Sequence, residues 1–244
     1  MPAERFYLNE SFVEGKTCSL TDSELHHLVR VMRAQAGSTI ELVNGKGALA
    51  EAVVNGIDKK YAELEIKNVE QISPPAHEII LAQALPRGNR LDFIVEKCTE
   101  LGMTQLWLFP GKHSERKELS ENQTARIEAL MVAAMKQSGT LWLPKFAWLP
   151  PLHQWKPLPA GASAFFGDLS KQAPLLIEQW RDKKEIKNVI FFVGPEAGFT
   201  DQEEECLQKL GAKGVKLHTH ILRTDTAGIM ATGLIHHCLL FSGN

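Results

Sequence analysis

The stretch of sequence that decides the fold is the apolar run N-V-I-F-F-V at 188–193, followed by the loop G-P-E-A-G-F at 194–199. A short apolar run bounded by turn residues is typical of a buried strand. Glycine permits the tight turn that follows and proline stiffens it. Next, Thr200-x-x-Glu203 has the spacing of a capping box, which begins a helix. The segment therefore predicts a strand, a loop and a helix, the repeating unit of a parallel α/β sheet.

A second loop, I-L-R-T-D-T-A-G at 221–228, overlaps the start of a predicted helix at 225–241 and follows a predicted strand. Two such loops at the ends of neighbouring parallel strands commonly build a small-molecule site. Arg223 lies at the helix N-terminus, where a cation opposes the helix dipole unless an acidic or anionic group is near. In one interpretation Asp225 supplies that acid. In the other, Arg223 faces a phosphate or an ionising base. Glu196 is equally open, because it either holds the first loop or complements a positively charged ligand.

The pattern changes at Ser73-Pro74-Pro75, which predicts a boundary between domains 1–72 and 75–244. Before it, an Asn44-Gly45 hairpin signal and a Thr21-x-x-Glu24 capping box predict a small β-barrel with one helix. After it, strands alternate with helices, one of them capped by Ser120-x-x-Gln123, which predicts a mainly parallel sheet. The predicted strands are 39–43, 48–54 and 62–66, and then 79–84, 105–109, 163–167, 188–193 and 214–217.

Composition narrows the class of protein. The 244 residues are 44% hydrophobic and 23% charged, as in ordinary globular proteins. The four cysteines form no C-x-x-C, which argues against a zinc knuckle or a disulfide framework. No apolar run approaches the roughly 20 residues of a membrane span, and the first residues lack the apolar core of a secretory signal. We therefore expect a cytoplasmic protein that does not associate with membranes.

A nucleic-acid partner requires local clustering of positive charge, because the net charge is −2. His26, Arg30 and Arg33 are spaced i, i+4 and i+7, which would place them on one helix face. An ordinary solvated polar face is the alternative. Paired histidines occur at 26–27, 218/220 and 236–237, but adjacent side chains point apart and no carboxylate or cysteine completes a set. We therefore expect no metal.

Motifs along nearly the whole chain carry a family resemblance. They are R-F-Y at 5–7, H-H-L-V-R-V-M-R at 26–33, N-G-K-G at 44–47, R-G-N-R-L-D-F-I-V-E-K-C-T-E-L-G at 87–102, S-E-R at 114–116, K-Q-S-G at 136–139 and the two loops above. In this order the chain resembles the SPOUT, or α/β-knot, RNA methyltransferases. It is most similar to the RsmE family, which methylates uridine N3 in small-subunit (16S) ribosomal RNA. The chain departs from that family's pattern at Ala197, His218, His220 and Thr140.

The resemblance implies an α/β protein in which a small PUA-like β-barrel precedes a trefoil-knotted SPOUT domain with a mainly parallel sheet. It implies S-adenosylmethionine as cofactor, 16S rRNA or the small ribosomal subunit as partner, and a homodimer whose active sites use both subunits. The expected cofactor-binding residues are Gly194, Pro195, Glu196, Gly198, Leu217, His218, Ile221, Leu222 and Thr226. The expected RNA-binding residues are Arg5, His26, Arg30, Arg33 and Lys46.

The expected catalytic residue is Arg223. The N3 proton of uridine must leave before or during attack on the methyl group, so a cation that stabilises the developing uracil anion would promote the reaction. Two alternatives stay open at the level of sequence. One is an RNA-binding module without chemistry, and the other is a SPOUT methyltransferase that acts at a different RNA position.

Overall fold

The computed structural model describes residues 5–181 and 188–242, and the chain divides into two compact units. The first unit comprises Met1–Pro75 and Val132–Leu143. The second comprises Ala76–Met131 and Pro144–Asn244. The domain bounds 1–72 and 75–244 stay a prediction, and they do not anticipate that residues 132–143 belong with the first unit.

The first unit contains a five-stranded sheet with the order β1-β3-β4-β5-β2. All its pairings are antiparallel except the one between β1 and β3. The strands are β1 Arg5–Tyr7, β2 Thr17–Leu20, β3 Thr39–Val43, β4 Ala48–Ile57 and β5 Ala62–Gln71. Alternate residues of β4 and β5 are buried and form, with Phe6, Leu28 and Leu42, the apolar core of this unit. The sequence reading missed β1 and β2, which are only three and four residues long.

The predicted hairpin at Asn44-Gly45 is confirmed. Asn44 Oδ1 accepts hydrogen bonds from the backbone N–H groups of Lys46 at 2.8 Å and Ala48 at 3.0 Å. Gly45 and Gly47 have φ values of 68° and 89°, a backbone region that suits glycine. The loop therefore keeps the antiparallel register in which Val43 lies opposite Leu49.

The predicted capping box at Thr21 and Glu24 is wrong. The Thr21 hydroxyl donates to Asp22 Oδ2 at 2.9 Å and does not cap the helix. The Glu24 carboxylate instead accepts from the backbone N–H of Tyr7 at 3.2 Å and from Lys136 Nζ at 2.6 Å. Glu24 is therefore used to join distant segments of the first unit, a demand that local spacing does not reveal.

The helix that begins there is also shorter than the apolar pattern suggests. Helix α1 spans Asp22–His26 and passes directly into a π-helical turn, His27–Val31. Arg33 lies beyond this turn with a φ of 52°.

The second unit contains a six-stranded, entirely parallel sheet with the order β11-β9-β10-β6-β7-β8. Its strands are β6 Glu78–Ala84, β7 Gln105–Phe109, β8 Lys145–Trp148, β9 Ser163–Gly167, β10 Asn188–Val193 and β11 Lys213–Val215. The helices that follow α1 along the chain are α2 Arg90–Glu100, α3 Glu121–Ser138, α4 Glu178–Arg181, α5 Asp201–Lys209 and α6 Thr224–Ser242, with a 3-10 turn at Leu152–Gln154. The expectation of a mainly parallel α/β sheet is confirmed, and the missed strand is β8.

Side-chain caps fix where two of these helices begin. The capping box at Thr200 and Glu203 is present: Glu203 N–H donates to Thr200 Oγ1 at 3.3 Å, and Thr200 N–H donates to Glu203 Oε2 at 2.9 Å. The predicted cap at Ser120 and Gln123 forms in the same reciprocal way. The first of these boxes ends the 194–199 loop at a defined point.

Strand order brings the functional loops together. Strands β11, β9 and β10 are neighbours and run in the same direction, so the loops that follow them emerge at one edge of the sheet. The trefoil knot itself stays a prediction. Across residues 5–181 and 188–242, no helix combines the length and apolar character that a bilayer crossing requires.

Candidate active site

A cleft of about 630 Å³ lies at the carboxyl ends of β9, β10 and β11 in the second unit. Pockets that hold small organic ligands typically enclose about 300–1,000 Å³. Its walls are the segments 167–170, 191–199, 215–218 and 220–224, together with Arg90, Glu204 and Ala227. Both loops singled out in the sequence therefore line one and the same cavity.

The predicted site residues can be placed one by one. Lining the cleft are Gly194, Pro195, Glu196, Gly198, Leu217, His218, Ile221, Leu222 and the proposed catalytic residue Arg223. Thr226 is not among the lining residues; it is exposed on α6, and its backbone N–H donates to Asp225 Oδ1 at 2.9 Å. The first turn of α6 therefore directs Thr226 away from the cleft.

The 194–199 loop is folded tightly on itself. A Cβ added at Gly194 would lie 3.1 Å from Phe199 N and 3.2 Å from Gly198 C. Gly198 has a φ of 76°, and its N–H donates to Pro195 O at 2.8 Å. Glycine at 194 is thus favoured by the close approach of the two ends of the loop.

Glu196 holds this loop to the start of α2. Its Oε1 accepts from the backbone N–H of Arg87 at 2.9 Å and lies 3.4 Å from Arg90 Nη1. Only 17% of its side chain is exposed. Of the two roles that the sequence left open, the structure shows the loop-holding one.

Arg223 stands at the mouth of the cleft with 68% of its side chain exposed. Its Nε lies 4.0 Å from Asp225 Oδ1. An exposed pair at that separation contributes at most about 1 kcal/mol. Asp225 therefore compensates the guanidinium only weakly, and the positive charge is available to a ligand.

The sequence reading missed a third loop, Gly167-Asp168-Leu169-Ser170, which follows β9 and lines the same cleft. Asp168 Oδ1 accepts from Ser170 N–H at 2.7 Å, and its carboxylate packs where a Cβ on Gly214 would stand. The available signal was a polar residue directly after the predicted strand 163–167.

A second carboxylate, Glu204 of α5, also lines the cleft. The pKa of Glu204 is raised above 4.5, first by desolvation and then by the negative charges of Asp168 and Asp201. The cleft thus holds two neighbouring acids at one end and Arg223 at its mouth, an arrangement that suits a ligand with a positively charged group.

Apolar surfaces complete the cavity. Phe191 and Phe192 are buried within it, whereas Leu169 and Ile221 are 71% and 79% exposed. Large apolar side chains so exposed on loops are suited to cover a planar, weakly polar part of a ligand.

The histidines and cysteines offer little chemistry of their own. His218 Nδ1 accepts from His220 N–H at 3.1 Å, so this pair stabilises its own loop. Among the described residues, no three His, Cys, Asp or Glu side chains are grouped to hold a metal. Burial raises the pKa of Cys18 to about 11 and that of Cys98 to about 12, so neither thiol is an activated nucleophile.

The predicted RNA-binding residues of the first unit fall into two groups. Arg5 is engaged internally: its Nε lies 2.8 Å from Glu41 Oε2, its Nη1 donates to Gly139 O at 2.8 Å, and 12% of its side chain is exposed. His26, Arg30, Arg33 and Lys46 are exposed, and we call these four residues the basic segment.

The expectation that His26, Arg30 and Arg33 share one helix face is wrong. Regular α-helix ends at His26, Arg30 lies in the π-helical turn, and the left-handed backbone at Arg33 takes it out of the helix. A spacing of i and i+7 marks one face only where the helical period persists through all seven residues.

Comparison with known proteins gives an RNA methyltransferase domain over residues 73–236 and an RNA methyltransferase PUA domain over residues 20–67. Ribosomal RNA small subunit methyltransferase E of Synechocystis is 30% identical, with 94% of this chain and 76% of that protein covered. The Bacillus subtilis protein of the same name is 26% identical over 96% of each chain. The structure of that methyltransferase from Neisseria gonorrhoeae, bound to S-adenosyl methionine, superposes with a TM-score of 0.85 at 28% identity, covering 97% of this chain and 98% of that one.

Proposed function

Because the chain belongs to the ribosomal RNA small subunit methyltransferase E family, we propose that it transfers a methyl group to N3 of a uridine in 16S rRNA. The chain is an S-adenosylmethionine-dependent rRNA methyltransferase. The proposal concerns the atom that is methylated, the residues that act, and the state of assembly.

The observation that carries the proposal is the meeting of the 194–199 and 217–223 segments in one cleft. The cavity has the volume for a nucleoside-sized cofactor. Main-chain groups of the two segments would bind its polar edges, and Leu217, Ile221 and Leu222 would pack on its base. The resemblance to a chain solved with this cofactor supports the same placement.

The acidic end of the cleft suits the charge of the cofactor. S-adenosylmethionine carries a sulfonium and an ammonium group, both positive. Asp168 and Glu204 line the cleft and would offset that charge. Loss of the methyl group turns the sulfonium into a neutral thioether, so these acids would favour the donor over the spent product.

Arg223 would act on the other reactant. Uridine N3 carries a proton, and the neutral imide nitrogen is a poor nucleophile. The proton must therefore pass to solvent water before or during the step in which the N3–CH₃ bond forms and the C–S bond breaks, which leaves the cofactor as a neutral thioether. A guanidinium stays charged throughout the working pH range. At the mouth of the cleft, Arg223 would stabilise the negative charge that develops on the uracil oxygens.

The lining of the cleft supports a nitrogen target over a carbon target. Methylation of uracil at C5 requires a nucleophile that adds to the ring, a role that a thiolate commonly fills. The residues that line the cleft include no cysteine. N3 lies on the Watson–Crick edge, so the target uridine must be unpaired or flipped out when it enters.

The basic segment of the first unit would bind the phosphates of 16S rRNA. His26, Arg30, Arg33 and Lys46 are exposed, and phosphate contacts of this kind give affinity that falls as salt rises. Arg5 is paired with Glu41, so it would support RNA binding by holding this unit in shape and would not contact phosphates itself. A ribosomal substrate would place the protein in the cytoplasm.

We extend the proposal to a homodimer. Helices α2 and α6 pack together, and they expose Phe93, Leu240 and Phe241 at 49%, 60% and 84%. Exposed large apolar side chains of this kind mark interaction surfaces. Sedimentation equilibrium should give a mass near twice 27.2 kDa, and a monomer at micromolar concentration would contradict this part of the proposal.

The sequence left two alternatives to N3 methylation open, an RNA-binding module without chemistry and methylation at another RNA position. A module without chemistry has no need of the cofactor cleft, and membership of the family excludes it. Methylation at another RNA position is tested by mapping. In cells lacking the protein, reverse transcription through 16S rRNA should lose one stop at a uridine, because an N3 methyl group blocks base pairing. Restoring the gene should restore the stop, and an unchanged stop pattern would refute the proposal.

A further inference from the structure

A buried chain of hydrogen bonds joins the two cofactor loops. Gln83, near the end of β6, is fully buried, and its Nε2 donates to Thr224 Oγ1 at 3.0 Å and to Ala84 O at 2.9 Å. The Thr224 hydroxyl in turn donates to Gly194 O at 2.8 Å. Thr224 is the first residue of α6 and Gly194 is the first residue of the other loop, so one hydroxyl connects both.

Stability alone does not account for an amide at this place. Gln83 lies in a strand whose other residues from Ile79 to Ala84 are apolar and buried. Its Oε1 has no hydrogen-bond partner among the described residues, and it faces Gly228, where an added Cβ would come within 3.4 Å. An unpaired buried acceptor costs about 1–3 kcal/mol. The amide is kept in spite of that cost, and what an apolar side chain of similar size could not supply is the Nε2 donor to Thr224 Oγ1.

The hydrogen bonds of Thr224 lie next to Arg223, the residue proposed to act on the uracil. Arg223 precedes Thr224 in the chain, and across residues 5–181 and 188–242 its side chain has one polar contact, the long 4.0 Å approach to Asp225. Gly194 is fixed on its other side by the close approach of Phe199. The hydroxyl of Thr224 uses both of its capacities here, since it accepts from Gln83 and donates to Gly194. This one side chain therefore links the two loops directly.

We propose that Thr224, held by Gln83, is the positioning residue that keeps Arg223 and the Gly194 loop at their working separation around the methyl donor. The inference rests on the proposed function, because it gives a purpose to the same cleft. Thr224 itself touches neither reacting atom in this account; it acts through the backbone of its neighbours. A displacement on the order of 1 Å at a reacting centre is enough to lower a rate about 100-fold.

The test compares four variants with the parent protein at a temperature at which all are folded. Thr224→Val removes the hydroxyl and keeps the shape, and Thr224→Ser keeps the hydroxyl. Gln83→Met removes the amide that donates to Thr224. It tests the same hydrogen-bond chain from its other end, and it replaces Thr224→Val if that variant does not fold. Thr232→Val is the matched control, because Thr232 is a buried threonine on the same helix whose hydroxyl donates to Gly228 O at 2.8 Å.

We expect Thr224→Val and Gln83→Met to lower kcat at least tenfold and to raise the Kd for S-adenosylmethionine several-fold. Thr224→Ser should remain within twofold of the parent, and Thr232→Val should change the Tm alone. A fall in Tm for Thr224→Val with kcat and Kd unchanged would overturn the inference. If the parent binds the cofactor but methylates no uridine N3, the proposed function fails, whereas the Kd comparison still decides the role of Thr224. If the parent does not bind the cofactor, both fail.

Discussion

The cofactor cleft of the second unit and the basic segment of the first are built in opposite ways. The cleft is held by hydrogen bonds from Glu196 to Arg87 and from Thr224 to Gly194, and the capping box of Thr200 and Glu203 fixes where its first loop ends. The basic segment exposes its charges on a short helix, a π-helical turn, a left-handed residue and, for Lys46, the hairpin loop between β3 and β4. Under the proposed function, a preorganised main chain would bind the cofactor, whereas side chains that can adjust would bind the phosphates of RNA.

The largest expected effect is at the mouth of the cleft. Arg223→Ala should lower kcat about 100-fold or more, the usual cost of losing a group that stabilises transition-state charge. The Kd for S-adenosylmethionine should change less than threefold, because the guanidinium is assigned to the uracil. Steady-state kinetics with calorimetry separates the two quantities. Asp225→Asn is the control, and an equal loss in both variants would show that Arg223 serves only to pair with Asp225.

The second largest expected effect comes from a change in the backbone of the 194–199 loop. Gly194→Ala places a methyl group 3.1 Å from Phe199 N, so the loop must open. We expect the Kd for the cofactor to rise on the order of tenfold, since a shift of a fraction of an ångström misplaces every group in the loop. Gly56→Ala adds a methyl group to open space in the first unit and should leave the Kd unchanged. Similar Kd values for all three proteins would disprove a main-chain binding site.

Arg30 and Arg5 of the first unit test which of its arginines bind RNA and which stabilise the fold. Arg30→Ala should leave the Tm in place and reduce the dependence of RNA affinity on log salt by about one. Arg5→Ala should instead lower stability by about 1–3 kcal/mol, because it leaves Glu41 and Gly139 O without their donor. Filter binding at several salt concentrations and thermal unfolding measure the pair. The opposite pattern would mean that Arg5 is the phosphate ligand.

The smallest effect concerns Glu204. Its pKa is raised in the folded protein, so the folded state holds the proton more tightly, and stability falls as pH rises from 4.5 through the raised value. Glu204→Gln should therefore raise the Tm at pH 7 and do so less at pH 4. Glu205→Gln on the same helix removes only an exposed pair with Lys209 and is the control. Equal gains at both pH values would show that the carboxylate charge is not the cause.

The same contrast explains what the sequence could predict. The loops at 194–199 and 221–228 were found because glycine, proline and capping residues report backbone geometry directly, and parallel strands then bring the loops together. The third loop was overlooked, because its signal was weaker: a single polar residue, Asp168, directly after a predicted strand. The face of His26, Arg30 and Arg33 was misjudged because nothing local announces a π-helical turn. Glu24 was misjudged because its partners, Tyr7 and Lys136, are distant in sequence.

The measurement that tests the central claim most directly is nucleoside analysis of the product. Small subunits from cells lacking the protein are incubated with the purified chain and S-adenosylmethionine carrying a labelled methyl group. The 16S rRNA is then digested and its nucleosides are separated by mass spectrometry. The account predicts that the label appears in 3-methyluridine with the parent and not with Arg223→Ala. Label in 5-methyluridine or in a ribose 2′-O-methyl group, or no label at all, would contradict it.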